Sequence, residues 1–168
     1  MNTPVYDFLI QYAERDPVRL HMPGHKGRFG APALQRATTL DLTEITGADS
    51  LFEAEGILAE SERNAASLYG TAYTFYSCGG STLCIQTMLL LMKQQGRAVL
   101  AARNVHRAFL NACVLLDLPV QWIYPRESDG ILSGTYDLAD FEAALQQQTR
   151  PACVYVTSPD YLGRMADI

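Results

Sequence analysis

The chain has 168 residues, 48% hydrophobic and 18% charged, which suits about one domain with a true core and excludes a disordered polymer. Thirteen basic against eighteen acidic side chains leave a net charge of −5, which argues against nucleic acid as a partner. The longest apolar stretch, 82–92, is broken by Gln86 and Thr87 and is far short of the ~20 residues that span a bilayer.

The first residues, Met1-Asn2-Thr3-Pro4, carry no basic or apolar leader segment. Val5, Phe8, Leu9 and Tyr12 then recur at helical spacing over 4–15, with Pro4 suited to the first turn. From Asp16 to Pro32 the breakers Pro17, Pro23, Gly24, Gly27, Gly30 and Pro32 predict a long loop, and 41–56 is acidic and aperiodic. A helix is expected over 58–69, stopped by Gly70. The run 73–77 is aromatic and β-branched, a strand pattern. Gly79-Gly80 breaks the chain before an apolar helix over 81–95 that Gly96 ends. Strands at 97–102, 120–124 and 152–157 alternate with helices at 105–116 and 138–147, the latter capped by Asp137. Such alternation is the pattern of βαβ units and a mostly parallel sheet. The four cysteines, Cys78, Cys84, Cys113 and Cys153, are dispersed, which fits free thiols in a reducing cytoplasm.

Ligands of open parallel sheets sit beyond the carboxyl ends of the strands, and three such ends carry polar residues. After 73–77 comes Cys78-Gly79-Gly80-Ser81-Thr82. Two glycines there permit close backbone approach, two hydroxyls can donate, and a helix start offers free N–H groups to an anion. The run is neither a Walker A loop nor G-x-G-x-x-G, and a plain turn with Ser81 as N-cap stays open beside a phosphate site. After 97–102 comes His106, able to stack on a planar ring, act as acid–base group or cap the next helix. After 152–157 comes Thr157-Ser158-Pro159-Asp160-Tyr161, a ligand contact or only a turn. The loop His21-Met22-Pro23-Gly24-His25-Lys26-Gly27 is basic and suits a cover for an anionic ligand or a surface tether. Pro23-Gly24 forbids the helix that would align its two histidines, and no CxxC or HExxH spacing occurs, so no metal site is expected.

These stretches, with Asp41-Leu42-Thr43-Glu44, Gly47-Ala48-Asp49-Ser50-Leu51, Tyr69-Gly70 and Arg103-Asn104-Val105-His106-Arg107-Ala108 in the same order, resemble the bacterial Orn/Lys/Arg decarboxylases. These are pyridoxal-phosphate enzymes of the aspartate-aminotransferase fold, fold type I. The resemblance covers essentially the whole chain and looks like shorter members lacking the N-terminal wing domain. It implies an α/β fold: the first part of the large domain over 57–168, incomplete at its C-terminus, after an active-site or dimer-interface segment over 1–56. It implies that Gly80, Ser81 and Thr82 hold the cofactor phosphate, that His106 stacks on the pyridine ring and that Ser158 lies near the cofactor. His21, Pro23, Gly24, His25 and Lys26 would border the active site, with Glu44 and Asp49 beside it or at a dimer interface. A basic amino-acid substrate and a homodimer or higher oligomer of the full-length form follow.

One departure matters. The family's ring-nitrogen aspartate and Schiff-base lysine belong to motifs beyond the equivalent of Gly163. The only lysines here are Lys26 and Lys93, and neither has the family's setting. No catalytic residue is therefore assigned, pyridoxal phosphate is expected to bind non-covalently at most, and the chain alone is expected to be inactive. Two rivals stay open. One is a non-catalytic truncated paralogue or partner subunit that keeps a phosphate site or pairs with a full-length decarboxylase. The other is an unrelated flavodoxin-like nucleotide binder.

Overall fold

Two units, Met1–Tyr76 and Ser77–Ile168, each fold on their own contacts; the computed structural model describes residues 2–128, 130, 133–147 and 150–166. In the first unit, α1 (Pro4–Glu14) packs on α2 (Pro32–Leu40) and α3 (Ile57–Tyr69). Pro4 and Pro32 each open a helix, where the missing N–H costs nothing. Gly70 ends α3 in the left-handed conformation, φ 65°, as its position predicts. The breaker-rich segment before α2 gives no periodic warning of that helix.

The second unit begins with α4 (Gly80–Lys93), β1 (Val99–Ala102), α5 (Arg107–Leu115) and β2 (Val120–Ile123). A two-residue antiparallel ladder of β3 (Glu127–Ser128) and β4 (Gly134–Thr135) follows, then α6 (Leu138–Gln147) and β5 (Val154–Tyr155). The sheet has order β2-β1-β5 and is parallel throughout, with Val99 opposite Val120 and Leu100 opposite Val154. All four residues of β1 are buried, as a central strand covered on both faces must be. Val99 and Ala101 face Leu89 of α4 and Phe109, Ala112 and Cys113 of α5. Leu100 and Ala102 face Ile123 and Phe141 of α6. Asp137 Oδ1 accepts the Ala139 N–H at 2.9 Å, the expected cap of α6.

Two expectations need correction. Residues 73–77 form no strand. The run has the right composition but no neighbour to pair with, and Tyr73 and Phe75 remain 78% and 79% exposed with their rings stacked on each other. The sheet therefore has three strands, not four, among the described residues. Ser81 is not the N-cap of α4 either; Gly79 is, and it makes no side-chain cap. No helix among the described residues is long and apolar enough to cross a membrane.

Candidate functional site

The connections from α4 to β1 and from β1 to α5 are short, and α4 and α5 pack together on one sheet face. Both helices must then run antiparallel to β1, which places both N-termini at the carboxyl edge of the sheet. Three turns meet this edge: 78–82, 103–106 and 157–163.

The first turn owes its shape to its glycines. A Cβ on Gly79 would lie 2.5 Å from Leu83 Cβ, whereas one on Gly80 would meet nothing within 4 Å. Gly80 also sits at φ +62°, where a side chain is strained. Open space therefore lies directly before the start of α4. The amides of Gly80, Ser81 and Thr82 precede the first intrahelical donor, Leu83 N–H, which bonds to Gly79 O, and are unpaired by helix geometry. Ser81 and Thr82 are exposed, and their hydroxyls bond to no other described residue. This is a cradle of three N–H and two O–H donors at the positive end of a 14-residue helix.

His106 is the exposed N-cap of α5, and its Nδ1 accepts the Ala108 N–H at 3.1 Å. The capping role open in the sequence is thus realised. It also leaves the neutral ring's proton on Nε2 and fixes the imidazole to its own helix. The third turn is self-knotted. Asp160, only 7% exposed, accepts the Ser133 hydroxyl and the amides of Leu162 and Arg164, each amide at 2.9 Å. The Ser133 hydrogen bond, ahead of these amides, holds its carboxyl below the usual range. Ser158 is exposed, but its Oγ accepts the Ala166 N–H at 3.0 Å. Two cavities open at this edge. One of about 440 Å³ is lined by Arg103, Arg107, Tyr124 and Tyr136, and one of about 120 Å³ by Asn104, Thr157 and Asp160. Neither is lined by Ser81 or His106. Asn104 and Thr157, named in the sequence only within their motifs and given no role of their own, carry buried polar atoms without partners among the described residues.

The Pro-Gly-His-Lys loop belongs to the first unit and is stitched down there. Tyr12 Oη donates to His21 Nε2 at 2.6 Å while His21 Nδ1 bonds to Met22 O. His25 accepts the Gly27 N–H on Nδ1 at 3.0 Å and meets Asp41 Oδ2 through Nε2 at 3.1 Å. Lys26 Nζ donates to His21 O at 2.6 Å. Beneath them Arg19, 8% exposed, lies 5.1 Å from the Tyr12 ring centre and donates to Thr39 O at 2.6 Å. A cavity of about 440 Å³ in this unit is lined by Phe8 and Leu9 and by Asp41, Glu44 and Asp49. Its carboxylates are already engaged, Asp41 by His25 and Glu44 by the Ser50 hydroxyl at 2.7 Å.

Asp49 is the most committed of them. It accepts the amides of Ser50 and Glu55 on Oδ1 and of Gly56 and Leu58 on Oδ2, at 2.8–3.1 Å. Burial alone raises its carboxyl, but these four N–H groups outweigh burial and hold it at about 2, against 3.8 ordinarily. Because the folded value lies below the unfolded one, the stabilisation is complete above 3.8 and fades as pH falls through about 2. Asp49→Asn keeps an acceptor for two amides but turns an NH2 toward the amides of Gly56 and Leu58. We expect it to lower the Tm by several degrees at neutral pH and to flatten the acid limb of a thermal titration; an unchanged limb would contradict this assignment.

The family model described as "Orn/Lys/Arg decarboxylase, major domain" matches residues 3–168. The chain is 30% identical to an arginine decarboxylase of Halalkalibacterium halodurans over 99% of its own length and 35% of that protein. It is 29% identical to the uncharacterized protein YaaO of Bacillus subtilis over 100% of its length and 36% of that protein. It thus spans about a third of the length of these relatives. Among solved structures it is similar to the constitutive lysine decarboxylase of E. coli, with a TM-score of 0.72 and 19% identity over 95% of this chain and 25% of that one. It is also similar to lysine decarboxylase A of Pseudomonas aeruginosa, with a TM-score of 0.61, 22% identity and coverage of 87% and 22%.

Proposed function

The chain belongs to the Orn/Lys/Arg decarboxylase family, within its major domain, and from that premise we propose that its sheet edge is the phosphate-and-ring end of a pyridoxal-phosphate site. The observation that carries this reading is the open space before Gly80, faced by unpaired amides and hydroxyls on the edge where His106 also stands. These residues fit the group. Gly80, Ser81 and Thr82 would take the phosphate as an anion at a helix start. His106, held by its own helix, would lie against the ring, and Ser158 would border it. When bound, the cofactor supplies an electron sink for decarboxylation of an amino acid.

In this reading residues 57–168 supply the first part of the cofactor domain. Residues 1–56, with His21, Pro23, Gly24, His25 and Lys26, border the active site or a dimer interface of the full-length form. The substrate class is a basic amino acid, released as an amine and carbon dioxide. The chain's own residues bind and orient but offer no amine to the cofactor. Lys93 ends α4 and donates to Leu116 O. It lies roughly 20 Å of helix from the cradle at ~1.5 Å per residue. Lys26 is spent on His21 O.

The test is equilibrium dialysis of the purified chain against pyridoxal phosphate, with inorganic phosphate as competitor, beside an assay of carbon dioxide release from arginine, lysine and ornithine. Saturable, phosphate-competed binding without turnover is expected. Substantial turnover would overturn the assignment of a binding but non-catalytic chain, and absence of binding would overturn the site. Tight association with a full-length decarboxylase, with no cofactor bound, would favour the partner-subunit reading.

A further inference from the structure

The carboxyl ends of β1 and β5 enclose a second polar site that serves neither cradle nor ring. Beyond the last pair, Ala101 opposite Tyr155, the two strand ends carry Asn104 and Thr157 to one cavity. Here Asn104 Oδ1 and Thr157 Oγ1 are both buried and both lack a hydrogen-bond partner. Both residues line the same cavity of about 120 Å³, closed further by Tyr136, Asp160 and Arg164. Two neighbouring oxygens already accept protein donors. Tyr136 Oη accepts the Asn104 N–H at 3.0 Å, and Asp160 takes three donors.

One orphaned buried atom is uncommon, and it carries the full desolvation cost of its group. Two that share one cavity point to a common occupant. The occupant must donate to the Asn104 carbonyl oxygen and either donate to or accept from the Thr157 hydroxyl. Among the described residues no unspent carboxylate lines the cavity to hold a cation, so a small, uncharged occupant fits. Water meets each requirement, and the cavity has room for more than one molecule.

We propose that Asn104 and Thr157 hold a small cluster of buried water that ties the end of β1 to the end of β5. Asn104 stands two residues before His106, and Thr157 one residue before Ser158. On the functional reading above, the cluster therefore braces the two turns that flank the cofactor, which makes Asn104 and Thr157 positioning residues. The water site itself does not depend on that reading.

A high-resolution crystal structure of the full chain, with Thr157→Val and Thr157→Ser alongside, tests this. The expected result is ordered water about 2.7–3.2 Å from both Asn104 Oδ1 and Thr157 Oγ1. Thr157→Ser should keep it. Thr157→Val should lose the water at that position and lower the Tm by a few degrees. An empty cavity in the parent chain, direct bonding of either atom to protein, or water unmoved in Thr157→Val would each overturn the proposal. Failure of Thr157→Val to fold would leave the parent and Thr157→Ser structures to decide. A parent chain that holds the water yet binds no pyridoxal phosphate would sink the functional reading and leave this one standing.

Discussion

Phe109→Ala should destabilise the second unit by about 3–5 kcal/mol. Phe109 is fully buried, its ring centre 4.3 Å from that of Tyr155 and 6.0 Å from that of Trp122. It joins α5 to two strands of a three-stranded sheet at once. Removing it leaves a cavity bounded by β1, β2 and β5 with little means of collapse, since those strands are already paired. Domains of this size are stable by only about 5–15 kcal/mol, so the loss takes a large part of the total. Trp122 is the sole tryptophan and lies in β2, so urea titration followed by its fluorescence reports on this unit. Val114→Ala on the same helix, at a side chain 83% exposed, should change stability by no more than about 0.5 kcal/mol. Equal effects of the two substitutions would show that the core does not sit where α5 meets the sheet.

Ser81→Asp should have the largest effect on binding and little on folding. A carboxylate in the first turn of α4 would meet the amides of Gly80–Thr82 and the positive end of the helix dipole. That interaction contributes about 0.3–1 kcal/mol, so the Tm should hold or rise slightly. The same charge would occupy the cradle and repel a phosphate. Affinity for inorganic phosphate or pyridoxal phosphate should fall at least about tenfold, or about 1.4 kcal/mol. Ser81→Thr, which keeps a hydroxyl, should retain binding. Unaltered phosphate affinity in Ser81→Asp would place the anion elsewhere.

The α/β alternation was legible because β1 is an uninterrupted apolar run and the glycines mark the helix ends. The helix after Gly79-Gly80, the stop at Gly70 and the Asp137 cap each follow from a residue whose local chemistry permits little else. The run 73–77 misled because β propensity describes a fit to a pleated, half-buried surface, and no neighbouring strand provides one. The β3–β4 ladder pairs two residues on each side, too few to show a period of two. α2 was hidden by the breakers before it; only Pro32 at its first position hints at a start.

The candidate site was legible in part for the same reason. Gly79 and Gly80 announce a special backbone: Gly79 is required by the closeness of Leu83, and open space lies at Gly80. The roles of Asp49 and Asp160 were not legible: a carboxylate that gathers backbone amides looks, in sequence, like any acidic residue near a motif. Asn104 and Thr157 appear in the sequence only as members of their motifs, because their distinguishing feature is a missing partner, which only packing reveals.

The most direct measurement is an NMR titration of the isotope-labelled chain with pyridoxal phosphate, following the backbone amides of Gly80, Ser81 and Thr82 and the ring resonances of His106. All four should shift together and saturate at one ligand concentration, with the amides alone following inorganic phosphate. Shifts confined to other residues, or a His106 ring indifferent to the ligand while the amides respond, would contradict a shared phosphate-and-ring site.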